Sequence, residues 1–179
     1  MLFRSGILAN PDFEEGLAKW QGNELVRHDN LPGYGKGIQH RYGAPKGSGD
    51  NVAVFNRNAE AYGELKQTMT GLVPGKAYFL SFMTADYKDI KDNAFNPRRQ
   101  PIEYSLDNCE ILRNTRIIAR NAPSSDEKVN KVRVNNTKVI FRATAPNVTL
   151  SFNNKKAQAG EETVLNYICV TPYFEVESE

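Results

Sequence analysis

Apolar and polar residues alternate along much of this 179-residue chain. Leu65, Gln67 and Met69 fall on one side of an extended segment, as do Ile102, Tyr104 and Leu106, and again Val148, Leu150 and Phe152. A period of two is the pattern of a strand with one face against a core. Residues 77–85 (AYFLSFMTA) are apolar on both faces, which predicts a central strand covered on both sides. The last long strand is predicted over 164–176, with Pro172 pushing its second half toward an edge or a bulge. No stretch shows helical periodicity over a convincing length.

Three long irregular segments interrupt the strands. Residues 29–51 hold six glycines with Tyr34, Gln39, His40, Arg41 and Tyr42 among them, residues 86–101 are dense in charge, and residues 121–136 are polar. Loops of this length in a compact domain are where function is sought. Asn, Gly and Pro together occupy 40 of the 179 positions, as many tight turns require. The reading is an all-β chain, a two-sheet antiparallel sandwich forming one domain over residues 1–179, excised from a larger multidomain protein. At this length folding buries roughly 70% of the extended surface, so neither metal nor disulfide is needed for a core. Cys109 and Cys169 could pair, closing a loop worth about 4 kcal/mol, or remain free thiols, which is the preferred reading.

With 23 basic against 21 acidic side chains, the formal charge of +2 gives no electrostatic case for nucleic acid or an anionic membrane. The first ten residues fall far short of a signal peptide, and no apolar span approaches twenty residues. Catalytic signatures are sparse. The two histidines, His28 and His40, have no zinc spacing, no Gly-x-Ser-x-Gly elbow is present, and Gly33-Tyr34-Gly35-Lys36-Gly37 lacks the ending of a phosphate loop. Glu161 and Glu162, as strand neighbours, would point to opposite faces unless they lie in a loop, and the Asp86, Asp89, Asp92 series suits a calcium-binding loop better than an acid pair, with the interspersed Lys88 and Lys91 favouring a solvated surface segment over a metal or ligand contact.

Three segments carry a resemblance: NPDFEEGLAKW from Asn10, GELKQTMTGLVPGKAYFLSFMTA from Gly63, and VIFRATAPNVTLSFN from Val139 followed by LNYICVTPY from Leu165. Together they resemble carbohydrate-binding modules of families four, nine and twenty-two, with their galactose-binding-like jelly roll. The turn at Gly71 and Pro74-Gly75 makes physical sense as a strand connection under any family name. The resemblance implies a non-catalytic module that targets a covalently attached glycoside hydrolase to polysaccharide, secreted, periplasmic or cell-surface, and monomeric. It also implies a structural calcium held by Glu14 and by Asn166, the latter standing where the family's closing strand carries Asp, and a Trp20 packed in the core.

Sugar recognition needs aromatic faces for stacking and polar groups for hydroxyls. On that chemistry the candidate ligand-binding residues are Tyr34, His40, Tyr42, Asp86, Tyr87, Arg98 and Arg99, and the near-neutral charge fits an uncharged glycan. The alternative is a structural spacer that packs against a catalytic domain and binds no sugar. A third reading is a small jelly-roll lyase or glycosidase using Tyr87, Arg98 and Arg99.

Overall fold

The computed structural model describes residues 6–36, 47–121 and 130–176. These form two antiparallel sheets. The smaller, in the order β1-β4-β9-β6, comprises β1 (Gln21–Gly22), β4 (Glu64–Met69), β9 (Val148–Asn153) and β6 (Glu103–Leu106). The larger, in the order β2-β3-β10-β5-β8-β7, comprises β2 (Val26–Asn30), β3 (Asn51–Asn56), β10 (Glu162–Pro172), β5 (Ala77–Asp86), β8 (Arg133–Ala143) and β7 (Cys109–Arg120). They stack as a jelly-roll sandwich.

Alternation places the side chains. In β4, Leu65, Gln67 and Met69 are buried while Glu64, Lys66 and Thr68 are exposed, and β9 buries Val148, Leu150 and Phe152. Gln67 is tolerated inside because its carboxamide imitates a strand. Its Oε1 accepts the Ala9 N–H at 2.7 Å and its Nε2 donates to the Ala9 carbonyl at 2.9 Å, which mends the N-terminal segment onto the sheet. Between the sheets lies one core, with Phe13, Trp20, Phe55, Phe82, Phe141 and Phe152 at its centre. Trp20 is in this core as expected, its rings near Phe13 and Phe152 and its Nε1–H donating to the Asn10 carbonyl at 2.9 Å.

The six-stranded sheet carries a second apolar cluster on its outer face, where Val52, Val54, Met83, Ala85, Val134 and Val164 meet Leu31 and Tyr34 from the glycine-rich segment. β5, paired with β10 and β8, is therefore covered on both faces near its C-terminal end, while Phe79 and Ser81 are only half-buried. β10 bulges between Asn166 and Cys169, and β3 pairs with it only through Leu165. Its second half accordingly has one strand partner, and Pro172, which lacks an N–H, stands at its end. Both cysteines are free thiols, and burial pushes each thiol pKa up.

One element escapes the period-two reading. α1 (Tyr87–Asp92) begins where the Asp86 carboxylate accepts the Asp89 N–H at 2.9 Å and ends at Asn93 in the left-handed conformation. Six residues are too few for a helical period to register in sequence.

Phe152 touches both Trp20 and Phe82, 6.3 and 5.0 Å between ring centroids, and is almost wholly buried. Phe152→Ala is expected to lower stability by about 3–5 kcal/mol, seen as a fall in the urea midpoint with little change in slope.

Candidate functional site

The glycine-rich segment leaves the sheet through a tight neck. Asp50 accepts the N–H groups of Gly33 and Gly35 at 3.2 and 2.7 Å, and the Tyr167 hydroxyl donates to the Gly35 carbonyl at 3.0 Å and lies 3.3 Å from that of Ser48. A Cβ at Gly49, whose φ is +80°, would overlap the Tyr167 ring, and one at Gly35 would overlap the Ser48 carbonyl. Close approach requires glycine at both positions, and at Gly49 the dihedral does as well. Tyr34 is corrected from ligand contact to core. It is 5% exposed, its ring lies in the second apolar cluster, and its carbonyl accepts Asn121 Nδ2 at 3.0 Å, so it offers no face to a sugar. Burial pushes the pKa of the Tyr34 hydroxyl far up. His40 and Tyr42 lie outside the described residues.

Tyr87 is likewise engaged. Its hydroxyl donates to Asp29 at 2.7 Å, and the Arg27 guanidinium and Lys91 ammonium lie over its ring at 5.0 and 5.4 Å. Arg27 in turn holds Glu162 at 2.8 Å and Asn56 at 3.0 Å. This is a stitched surface on the outer side of β2, β3 and β10, in which Tyr87, expected as a stacking face, is half-buried with both its ring and its hydroxyl engaged. The donated hydrogen bond from Tyr87 lowers the Asp29 pKa; burial opposes it, and Asn30, Lys91 and Arg27 add to the lowering.

Asp86 and Arg98 do come together, but with each other. Arg98 Nη2 reaches Asp86 at 2.6 Å and Nη1 reaches Glu161 at 3.0 Å, all three side chains being largely buried. Asp86 also caps α1, so both its oxygens are committed. In this arrangement Asp86 and Arg98 support the loop above them, and a sugar hydroxyl would meet them as an ion pair.

Above that pair, residues 93–102 cross the end of the sandwich as a rim. Asn93 Oδ1 accepts the Lys131 N–H at 2.9 Å, Asn135 Oδ1 accepts the Gln100 N–H at 2.7 Å, and Asn135 Nδ2 donates to the Arg98 carbonyl at 2.8 Å. Arg116, on β7, donates to the Gln100 and Ile102 carbonyls at 3.3 and 3.1 Å. Among the side chains of this tethered arm that face solvent are Phe95 and Arg99. Phe95 is 60% exposed with the Arg133 guanidinium 4.6 Å from its ring, and Arg99 is exposed beside Arg116. Burial first, and then the Arg99 charge, lower the Arg116 pKa. Of the seven sequence-predicted residues, Arg99 is the one that the described structure leaves exposed in a built setting. Phe95, Arg116 and Arg133 were missed. Phe95 lay in the charge-dense segment already singled out, whereas the two arginines sit on strands whose alternation says nothing about which loop crosses them.

The calcium expectation names Asn166 and Glu14. Asn166 is buried, its Nδ2 donating to the Gly49 carbonyl at 3.0 Å and its Oδ1 unpartnered, while Glu14 is exposed in the loop before Trp20. In that loop the carboxamide of Asn10 gathers the Gly16 and Ala18 carbonyls at 3.0 and 2.8 Å and accepts the Glu15 N–H at 3.2 Å. Among the described residues no three His, Cys, Asp or Glu side chains converge. One neutral amide and one exposed carboxylate do not fit the charged oxygen cage that calcium takes.

No family model and no curated protein sequence matches the chain. Among solved structures it is similar to the enzymatically active domain of tailspike protein 4 of bacteriophage CBA120, at 10% identity and a TM-score of 0.52 over 93% of this chain. This chain spans only 21% of that one. TmCBM61 in complex with β-1,4-galactotriose is similar at 13% identity and a TM-score of 0.48, covering 93% of this chain and 98% of that one. At 10% identity the likeness to the tailspike domain is one of fold.

Because Asp29 has a lowered pKa in the folded protein, its ionisation favours folding above its unfolded pKa, and that contribution is lost as pH falls through the folded value. Tyr87→Phe is therefore expected to cost about 0.5–1 kcal/mol at neutral pH, with the gap from the parent narrowing below about pH 4, in paired urea titrations across pH.

Proposed function

We propose that this chain is a non-catalytic module that binds oligosaccharide at the 93–102 rim. The observation that carries the reading is Phe95, a 60%-exposed ring on an arm tethered at Asn93, Arg98 and Gln100 and backed by Arg133. A ring fixed in this way presents an apolar face to a pyranose with little ordering cost, and the guanidiniums and loop amides around it suit hydroxyls. The three-segment sequence resemblance to carbohydrate-binding modules supports the same reading. In that setting the module works outside the cytoplasm beside a covalently attached catalytic domain, raising the local concentration of polysaccharide.

A second reading has its own observation. β7 is an edge strand whose Ile111, Leu112, Ile117 and Ile118 are exposed, the kind of surface that another chain or domain covers. On that reading the sandwich is a spacer.

Affinity electrophoresis against a panel of plant, algal and bacterial polysaccharides separates them. The sugar-binding reading expects retardation by at least one polymer and about a tenfold loss in Phe95→Ala with unchanged circular dichroism. Absence of retardation by every polymer contradicts it.

A further inference from the structure

Charge on this protein is near balance overall but not in space. Arg99, Arg116 and Arg133 all belong to the rim, and their recorded contacts are backbone carbonyls, one aromatic ring and each other. Arg116 donates to the Gln100 and Ile102 carbonyls, Arg133 donates to the Lys131 carbonyl at 3.0 Å and covers Phe95, and Arg99 stands next to Arg116. Among the described residues no carboxylate lies within ion-pair distance of any of the three. Glu103, which faces Arg116, is already held by Lys156 at 3.2 Å. The contrast with Arg98, a few ångströms of chain away and bonded to two carboxylates, is the informative one.

The β7–β8 register fixes the spacing. Arg116 is paired with Thr137 and Arg120 with Arg133, so Arg116 and Arg133 are four ladder steps apart, about 13 Å along the strands. Arg116 projects toward the rim arm, as its bonds to Gln100 and Ile102 require, and Arg133 does so too, as its position over Phe95 requires. Neighbouring guanidiniums with no ion-paired carboxylate among the described residues repel one another, and a planar anion accepting two N–H bonds relieves that repulsion with a geometry lysine does not match.

The geometry points to an anionic oligosaccharide as the ligand of this rim, its acidic groups taken by Arg99, Arg116 and Arg133 and a ring face taken by Phe95. This inference rests on the sugar-binding reading and deepens it, and it reverses the expectation of an uncharged glycan drawn from net charge alone. The shared chemistry is a sugar bearing a carboxylate or a sulfate. Phe95 favours a sugar over a bare polyanion because an exposed apolar ring under Arg133 contributes nothing to a phosphate.

Isothermal titration of the full chain at low salt with oligogalacturonate, its methyl ester, a sulfated galacto-oligosaccharide, neutral galacto-oligosaccharide and a single-stranded oligonucleotide tests it. The expected result is binding of the carboxylated or the sulfated sugar about tenfold or more above its neutral counterpart, the responding arm identifying the acid. Arg99→Gln, an exposed side chain beside Arg116, is expected to weaken that binding about fivefold, more than it weakens binding of the neutral sugar, with the melting temperature unchanged. The ester pair tests the same point without any substitution. Equal binding of acidic and neutral sugars overturns the inference and leaves sugar binding standing. Preference for the oligonucleotide also overturns it, and absence of binding to every sugar removes both readings.

Discussion

Arg98 fastens the rim arm to the ends of β5 and β10, which already pair with each other through Asp86 and Thr163. One arm of its guanidinium holds Asp86, the last residue of β5 and the cap of α1, and the other holds Glu161, which precedes β10. Its own carbonyl is held by Asn135 on β8. Taking a guanidinium and two carboxylates partly out of water is costly unless each is satisfied by the others, so the arrangement specifies one geometry. Burial disfavours the Arg98 charge, but Glu161 and Asp86 outweigh it and the pKa is raised. The rim above inherits its shape from this knot.

A different solution holds the outer face. There the glycine-rich segment enters and leaves through a neck closed by Tyr167 and Asp50, and Tyr34 and Leu31 fill the space over Val52, Val54 and Val164. The six-stranded sheet is thus covered on both sides around β3, β10 and the end of β5, while the rim end exposes charge. Apolar closure on one face and a charged rim at one end give the sandwich a polarity that net charge could not reveal.

Much of the fold was legible because solvent and core decide each strand position locally. Leu65, Gln67 and Met69 read correctly even with a glutamine among them, since its neighbours set the period. The site was less legible. Tyr34 among glycines looks like a loop tyrosine, yet those glycines are there so that two chain segments can pass beneath Tyr167. Asp86 and Tyr87 were singled out as ligand contacts, but a short helix turned the first into a cap and packing gave the second to Arg27 and Lys91. Adjacent arginines, Arg98 and Arg99, have opposite fates because alternation along the arm turns one inward and the other outward, and no composition separates them. Arg116 and Arg133 join the rim only through strand pairing and the path of residues 93–102, which are tertiary facts.

If Arg98 fixes the rim, the Gln100 amide, bonded to Asn135 and shut away from solvent, reports on it. Hydrogen exchange of that amide in the parent protein and in Arg98→Met measures the dependence. The account predicts slow exchange in the parent and a loss of protection in the variant larger than its loss of global stability, which marks local release of the arm. Exchange at Gln100 as fast as at an open loop in the parent, or no faster in Arg98→Met than global unfolding explains, would contradict it.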